Sequence, residues 1–552
     1  MYLSYPFIAP VFLFREPGRA ALNLNTRFDR LSYQPGAACQ NYYHKDYAGL
    51  SHALQLSYGR VMKNKSAKFR QVDRKFLWHP YSGHSAIQNY DFPVIVRGKG
   101  PFLYDAGGKR YFDVISSWWC CSLGHGHPRI VAAIKRQAGK LQHSILGNMS
   151  HPGAIELAEK ISGLFQRSVT PRLNFSDGRT RMSVPAPDKN NRRVFFACDG
   201  ASAVEAALKI AAQYWHNAGR PERSRFVSLS NAYHGDTLGA VSVGFLPGFH
   251  KPYKPLTFPV YRAKAPHCAE CGYGGTSCCA RGTSPDKGLS RPASGNSQAK
   301  ILHDSSAPCN CECFKSMEQI IENHSGEVAA VIVEPLCQCA AGMNMYPPDY
   351  LKLLAALCHK HKILLIADEI AVGFGRTGKM FAFEHAGIDP DIVCIGKSLS
   401  GGYLPISATV VKENIYSTFS DLPKDNTFYH GHTFAGNPIA CAAASEVLDI
   451  YKEEGIVAMA WRKGKMMAEL AAPLRGIRGV ENVRSLGMLA ALDMSGDDGA
   501  RRAQAVRKSL LTRGVLVRPL GNVVYLMPPL VTPDGLIRET IDLLAETLES
   551  VL

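Results

Sequence analysis

Residues 364–408 read LLIADEIAVGFGRTGKMFAFEHAGIDPDIVCIGKSLSGGYLPISA, and this stretch decides the fold. It contains two short, nearly all-apolar runs, (I)LLIADEI and IVCIGKSL, and a third run, VAAVIVEPL, precedes it at residues 328–336. Runs of this kind predict strands that are buried on both faces. Because helical segments separate some of them, the stretch predicts a mostly parallel α/β sheet.

An acid closes one of these predicted strands and a lysine follows the next, Asp368 and Lys397 respectively. Ligands of open α/β sheets bind at the carboxyl ends of the strands. A carboxylate and an amine at that edge suit pyridoxal phosphate, because a lysine forms its Schiff base and an acid keeps the pyridine nitrogen protonated. Taken singly, such residues are more often a helix cap and a surface lysine.

The flanking sequence predicts further elements of the same architecture. Residues 94–114 predict a meander of short strands around glycine turns. Helical spacing follows in HPRIVAAIKRQAGKL, HPGAIELAEKISGLF, ASAVEAALKIAAQYWHNAG and PIACAAASEVLDIYKEEG, and strand patterns lie in RVFFACDG and RFVSLS. After about residue 437 the chain predicts a smaller α+β unit with strands in MLAALDM, GVLVRP and VVYLMPP and a helix at its end.

The 364–408 stretch resembles the class III aminotransferases, which are pyridoxal-phosphate enzymes of fold type I, and the resemblance extends over about residues 76–549 apart from two insertions. It implies a large domain with a mostly parallel sheet and helices on both faces, plus a smaller α+β domain from the N- and C-terminal segments. It also implies that Lys397 bonds the cofactor and moves the proton, that Asp368 binds the pyridine nitrogen, and that Tyr233 stacks on the ring.

A strand, a glycine turn and a helix start follow one another in FACDGASAVEAALK, and such a turn suits a phosphate. The resemblance assigns the cofactor phosphate to Gly200 and Ala201. Many relatives have a hydroxyl where Ala201 stands, so we expect backbone donors, with or without the hydroxyl of Ser202, to carry this site. The resemblance further implies a homodimer with shared sites, in which residues 431–433 (Gly431, His432 and Thr433) reach the partner's phosphate.

Several less common segments resemble one branch of the family, which moves an amino group from S-adenosylmethionine to 8-amino-7-oxononanoate in biotin synthesis. They include FLWHPYSG at 76–83 and SSWWCCSLGHGHP at 116–128. The resemblance implies that Tyr81 and Trp119 line the substrate pocket and that Arg518 pairs with the acceptor's carboxylate. An apolar, aromatic wall with one bidentate arginine fits that acceptor, and aromatic faces suit the sulfonium of the donor.

Two further expectations concern the surroundings of this pocket. Arg376 is expected to contribute to substrate binding and to form a charge pair with Asp236. Trp118, the first residue of the tandem tryptophans, is expected to pack in the core rather than to face substrate.

Three alternatives stay open at this stage. An ω-amino-acid or ornithine-type aminotransferase would use the same scaffold, and lysine could replace adenosylmethionine as the donor. A metal- or redox-sensing interaction protein could instead use the cysteine-rich insertion, in which Cys268 and Cys271 have the spacing of zinc ligands without a clean second pair.

The predicted organisation has four parts. Residues 1–70 form a basic, poorly structured extension in which Met62 offers an alternative start, and residues 71–127 join the small domain. Residues 128–436 form the large cofactor-binding domain, with a loop insertion at 166–193 and a cysteine-rich insertion at 265–313. Residues 437–552 form the C-terminal small domain.

The net charge of +17 is concentrated in the accessory segments. Residues 1–75 hold 12 Lys and Arg against 4 Asp and Glu, residues 166–193 hold 7 against 2, and residues 261–315 hold 7 against 4. The nearly neutral remainder argues against nucleic acid as a partner. No apolar run has the length of a membrane span, no secretory signal is evident, and we expect a cytoplasmic enzyme of small-molecule substrates.

Overall fold

The computed structural model describes residues 66–90, 92–166, 191–267, 312–420 and 425–551. Most of the predicted extension and of both insertions lies outside these residues, including Cys268 and Cys271. Met62–Leu552 forms one compact unit. Within the described ranges, none of the helices combines the length and the apolar character that a membrane span requires.

A seven-stranded sheet forms the centre of this unit. Its strands are β4 (Arg192–Ala197), β5 (Arg225–Leu229), β6 (Tyr261–Ala263), β7 (Val328–Val333), β10 (Leu364–Asp368), β11 (Ile392–Ile395) and β12 (Ser407–Lys412). They lie in the order β4-β12-β11-β10-β7-β5-β6. Only β12 runs against its neighbours, so the predicted, mostly parallel sheet is confirmed.

Both faces of the sheet are covered, because successive residues of its central strands enter two separate hydrophobic clusters. Along β10, for example, Leu365 and Ala367 belong to one cluster and Leu364 and Ile366 to the other. The second cluster contains the apolar side of helix Gly200–Asn217. This arrangement explains why the strands read as continuous apolar runs in the sequence, and it confirms helices on both faces.

The α-helices are the other main elements of the described chain. Residues 66–76 are helical, and the other α-helices are His84–Gln88, Pro128–Ala138, Pro152–Gly163, Gly200–Asn217, Leu238–Val243, Pro247–His250, Lys315–His324, Pro348–Lys360, Glu413–Tyr416, Pro438–Glu453, Ile456–Ala471, Gly499–Thr512 and Asp534–Val551. Short 3-10 helices span Lys251–Leu256, Glu312–Phe314, Ala382–Ala386, Lys397–Ser400, Ser417–Phe419 and Ala472–Gly476.

Three small antiparallel sheets complete the fold. Strands β1 (Ile95–Lys99), β2 (Phe102–Asp105) and β3 (Arg110–Phe112) form the predicted meander. Strands β13 (Val480–Ser485), β14 (Ala490–Met494) and β15 (Val523–Leu526) form the C-terminal sheet, and β8 (Cys337–Gln338) pairs with β9 (Asn344–Met345).

The N-terminal meander is joined to the C-terminal segment by backbone hydrogen bonds. Phe112 donates to the carbonyl of Gly514 over 2.7 Å and accepts from the N–H of Leu516 over 2.9 Å. The sequence prediction of a strand in GVLVRP is wrong, because that segment makes a single bridge at Val515 with Phe112 instead of a ladder. These bonds join the two ends of the chain, and the division into a large and a small domain stays a prediction, because Met62–Leu552 forms one compact unit.

A buried arginine connects the central sheet's loops to the C-terminal part. The Nη1 atom of Arg376 donates to the carbonyls of Met488 and Pro528 over 2.9 and 2.6 Å, and the N–H of Met488 donates back to the carbonyl of Arg376. The backbone of helix Ile456–Ala471 crosses this junction at Gly464, where a Cβ atom would lie 2.7 Å from the Cα of Gly487.

We predict that Gly464→Ala destabilises the protein. Alanine is favoured over glycine in a helix by about 1 kcal/mol, but overpacking costs up to about 3 kcal/mol, and the backbone of Gly487 cannot rotate away. Thermal unfolding should show a lower Tm. Gly535→Ala is the matched control, because that helical glycine has open space around its Cβ position. A Tm of Gly464→Ala at or above that of the wild type would contradict the close approach.

Candidate active site

A cavity of about 470 Å³ opens at the carboxyl edge of the central sheet. Its lining follows the ends of five parallel strands: residues 199–201 after β4, 233–237 after β5, Glu334 after β7, Asp368 at the end of β10 with residues 370–372 after it, and Lys397 after β11. Trp119 contributes from the N-terminal part of the chain. The structure therefore brings together the predicted Asp368, Lys397, Tyr233, Gly200, Ala201 and Trp119.

Asp368 is the last residue of β10 and is almost completely buried. Its Oδ2 atom lies 2.7 Å from the Nδ1 atom of His234, and its Oδ1 atom accepts the N–H of Ile370 over 3.1 Å. Since an ionised carboxylate only accepts hydrogen bonds, the proton of this contact sits on Nδ1. Asp368 is thereby fixed in orientation and kept as an acceptor at the cavity wall, which suits an aromatic N–H.

Lys397 stands at the start of a 3-10 helix directly after β11, with a φ of 41°. Its Nζ atom lies 5.3 Å from the centroid of the Trp119 ring. The indole N–H of Trp119 donates in turn to the hydroxyl of Tyr525 over 3.2 Å. The ammonium group therefore faces the cavity beside a wall of fixed aromatic rings.

The start of helix Gly200–Asn217 offers an anion site to the cavity. Asp199 caps the helix and accepts both the N–H and the hydroxyl of Ser202 over 2.9 Å. Among the described residues, none accepts a hydrogen bond from the N–H groups of Gly200 and Ala201. Two free N–H groups at the positive end of a helix dipole suit a phosphate, and Ser202 is already committed to the cap.

Close backbone packing explains the small residues at this turn. Gly235 has a φ of 125°, and a Cβ atom there would lie 2.4 Å from the Cβ of Ala201. At Gly200 a Cβ atom would lie 3.0 Å from the Cγ2 of Ile370. An anion site, a buried carboxylate, an amine and an aromatic ring thus surround one cavity, and this set fits pyridoxal phosphate.

Two tyrosines share one carboxylate at the cavity mouth. The hydroxyls of Tyr81 and Tyr233 donate to Asp236 over 2.5 and 2.9 Å. Burial, together with the hydrogen bond to Asp236, raises the pKa of Tyr81 to about 12. His250 accepts the N–H of Leu246 on Nδ1, so its proton sits on Nε2, which lies 3.5 Å from Asp236. Both phenols stay protonated and directed at the carboxylate.

Trp118 does not pack in the core, contrary to the sequence prediction. Residues 116–119 all have left-handed backbone, with φ of 48°, 46°, 69° and 72°, and this conformation costs an L-residue roughly 1–2 kcal/mol. The turn directs neighbouring indoles to different surroundings, so that Trp119 is 4% exposed and Trp118 is 37% exposed. The ring of Trp118 contacts the guanidinium of Arg518, whose carbon lies 4.0 Å from its centroid.

Other predicted site residues lie away from this cavity wall. Among the residues that the structure describes, no ion pair within 4.0 Å joins Arg376 to Asp236, since Arg376 bonds backbone carbonyls and Asp236 bonds tyrosines. The predicted charge pair is therefore not formed. Residues 431–433 (Gly431, His432 and Thr433) do not line the cavity of their own chain, so their contact with a partner's phosphate stays a prediction, as does substrate binding by Arg376.

Sequence reasoning missed two buried residues of the site, His234 and Glu334. His234 adjoins Tyr233 in NAYHGD, but its contact with Asp368 spans 134 residues of sequence. Glu334 accepts the N–H groups of Tyr233 and Cys339 over 3.1 Å each. Burial raises the pKa of Glu334 to about 8. A carboxyl group directly after a buried strand was the available signal for Glu334.

Comparison with known proteins agrees with this geometry. The family model described as aminotransferase class-III matches residues 85–548. The chain is 37% identical over 489 residues to the adenosylmethionine-8-amino-7-oxononanoate aminotransferase of Geobacter sulfurreducens, covering 87% of this chain and 96% of the relative. The corresponding relative from Staphylococcus aureus is 31% identical and covers 89% and 99%.

Solved structures give the same family. The crystal structure of adenosylmethionine-8-amino-7-oxononanoate aminotransferase from Methanocaldococcus jannaschii superposes with a TM-score of 0.74 at 32% identity, covering 88% of this chain and 99% of that one. A PLP-bound amine transaminase from an uncultivated Pseudomonas species gives 0.71 at 30% identity, covering 86% and 98%. The family depends on pyridoxal phosphate, for which the cavity has the required groups. This chain belongs to the class III aminotransferases.

Proposed function

We propose that this aminotransferase transfers the amino group of S-adenosylmethionine to 8-amino-7-oxononanoate and yields 7,8-diaminononanoate, a step of biotin synthesis. The observation that carries this proposal is Arg518, a guanidinium without an acidic partner among the described residues. It stands in an aromatic setting of Trp118 and Tyr81. A long apolar acceptor that ends in a carboxylate fits such a site, and the names of the relatives support the assignment.

Pyridoxal phosphate, when bound, supplies an electron sink that stabilises the carbanion formed at the substrate carbon. In its neutral form, the Nζ atom of Lys397 would take up the proton that leaves this carbon and pass it on to the cofactor, so that the amino group stays with the cofactor. Asp368, oriented by His234, would accept the proton of the ring nitrogen in a hydrogen bond. The N–H groups of Gly200 and Ala201 would hold the phosphate, and Tyr233 would pack against the ring. The two substrates use this one cavity in turn, in a ping-pong sequence.

The donor and the acceptor place opposite demands on the cavity. The Asp236 carboxylate and the faces of Tyr81 and Trp119 suit a sulfonium, since an aromatic face attracts a cation. Arg518 suits the acceptor's carboxylate. Asp236 lines the cavity, and Arg518 lies beyond the lining, connected to Asp236 through Trp118 and Tyr81. An acidic and a basic group in this arrangement suit the two substrates in succession, whereas an acidic group alone would repel the keto acid.

We further propose that the enzyme is a homodimer in the cytoplasm. Ile145, Met149, Tyr429 and Phe434 are 46%, 55%, 78% and 62% exposed and lie on neighbouring segments that flank Thr433. An exposed apolar patch of this kind is typical of a protein interface. Cysteines buried as free thiols, such as Cys358, Cys394 and Cys441, suit a reducing compartment.

Lys397→Ala should abolish transamination, with a rate lower by about 10²–10⁴-fold or more, because the base at the reacting carbon is removed. Borohydride reduction of the wild-type holoenzyme followed by peptide mass spectrometry should find the cofactor on Lys397. Lys379→Ala is the control, since that ammonium group donates to the carbonyl of Glu384 over 3.0 Å. Cofactor attached at another lysine would refute the assignment.

The donor is tested in a single turnover without acceptor. S-adenosylmethionine should change the visible spectrum of the bound cofactor, and subsequent 8-amino-7-oxononanoate should restore it. Alanine and lysine are the comparison donors. A spectrum that changes with alanine and not with adenosylmethionine would indicate an ω-amino-acid aminotransferase. A spectrum that changes with lysine alone would indicate that lysine is the amino donor.

The subunit contact is tested by charge insertion. Tyr429→Lys combined with Phe434→Lys should convert a species of twice the chain mass to one of single mass, measured by light scattering, because buried unpaired ammonium groups are strongly unfavourable. Leu353→Lys, on helix Pro348–Lys360 and 42% exposed, is the control. A wild-type protein of single mass would exclude the homodimer.

A further inference from the structure

The left-handed turn at residues 116–119 is held by side-chain anchors on both sides. The hydroxyl of Ser116 donates to the carbonyl of Met527 over 2.7 Å, and that of Ser117 donates to the Oδ2 atom of Asp113 over 2.6 Å. The same oxygen atom of Asp113 is 2.9 Å from Nε2 of His125. Strained backbone persists only where its surroundings fix it, and it is commonest at functional sites.

The turn leaves Trp118 partly exposed and in contact with a charged group. The guanidinium carbon of Arg518 lies 4.0 Å from its ring centroid, and Tyr81 and the indole make a T-shaped contact with the ring centroids 5.6 Å apart. Within the described ranges Arg518 has no hydrogen bond and no ion pair. The indole is therefore the contact that orients this arginine.

Stacking leaves the useful part of the guanidinium free. An indole occupies one face of the planar group, whereas all five N–H bonds of arginine point outward in the plane. A carboxylate approaches along that plane and takes two parallel hydrogen bonds. A guanidinium that is already oriented loses less conformational freedom when the carboxylate binds.

We propose that Trp118 is a specificity-determining residue, which holds the guanidinium of Arg518 by its indole face so that the N–H edge is ready for the carboxylate of a long-chain acceptor. This inference rests on the proposed function, because it assigns Arg518 to that carboxylate. Trp118 acts through Arg518 and contributes nothing to the reacting atoms. Its aromatic face, not its bulk, is the property that matters.

The test is calorimetric binding of nonanoate, a straight-chain carboxylate, and of nonanamide, its neutral counterpart, to the holoenzyme. Trp118→Leu should weaken nonanoate binding about 3- to 10-fold, in the range of one cation–π contact, and leave nonanamide binding unchanged. Trp118→Phe, which keeps an aromatic face, should restore most of the affinity. In an Arg518→Ala background, Trp118→Leu should have no further effect on nonanoate.

Two results would overturn the inference. In the first, Trp118→Leu weakens the binding of nonanoate and of nonanamide equally, which indicates that Trp118 is only an apolar wall. In the second, the wild-type enzyme binds nonanamide more tightly than nonanoate, or binds both equally. If Trp118→Leu does not fold, Trp118→Gln replaces it as the variant without an aromatic face. Turnover of 8-amino-7-oxononanoate is measured separately. If the wild-type enzyme does not turn over 8-amino-7-oxononanoate but Trp118→Leu still weakens the binding of nonanoate selectively, the proposed function is rejected and the role of Trp118 is retained.

Discussion

The central constraint of this structure is that β7, β10 and β11 are buried on both faces. A charged side chain within such a strand would have to leave water without a partner, so polar groups can stand only where a strand ends. Because the strands are parallel, those ends share one edge of the sheet. Glu334, Asp368 and Lys397 are therefore neighbours although the chain separates them widely, and the packing of apolar residues is what assembles the cavity.

The same constraint decides what could be predicted from the sequence. Asp368 and Lys397 follow apolar runs directly, so the local pattern placed both at the cavity. The contact of His234 with Asp368 joins two loops that no local pattern connects. Trp118 was expected in the core because packing there is the ordinary role of a large aromatic residue, and nothing in SSWW indicates a left-handed turn. The strand expected around Val515 failed because strand composition does not guarantee a neighbour with which to pair.

The charges that line the cavity bear on how an anionic cofactor is held there. Four carboxyl groups line it, those of Asp199, Asp236, Glu334 and Asp368, beside one ammonium group, that of Lys397. Burial raises the pKa of Glu334 to about 8, which removes one of these negative charges near neutrality. A phosphate beside Asp199 then depends on backbone N–H groups, and further donors from a second subunit would relieve the repulsion. The electrostatics of one chain thus favour the proposed dimer.

The tandem tryptophans illustrate how backbone conformation sets the use of a side chain. In a strand, neighbouring side chains point to opposite faces of a sheet. Two consecutive tryptophans in a strand would therefore not both lie near the cavity. The left-handed turn instead lets Trp119 close the wall beside Lys397 while Trp118 stays at the mouth beside Arg518. Two hydrogen bonds offset the strain of the turn, one from the hydroxyl of Ser116 to the carbonyl of Met527 and one from the hydroxyl of Ser117 to the carboxylate of Asp113. Because Trp119 packs beside Lys397 and Trp118 packs against Arg518, the turn fixes the position of Lys397's aromatic neighbour relative to that of Arg518. A flexible loop would not fix these two positions relative to each other.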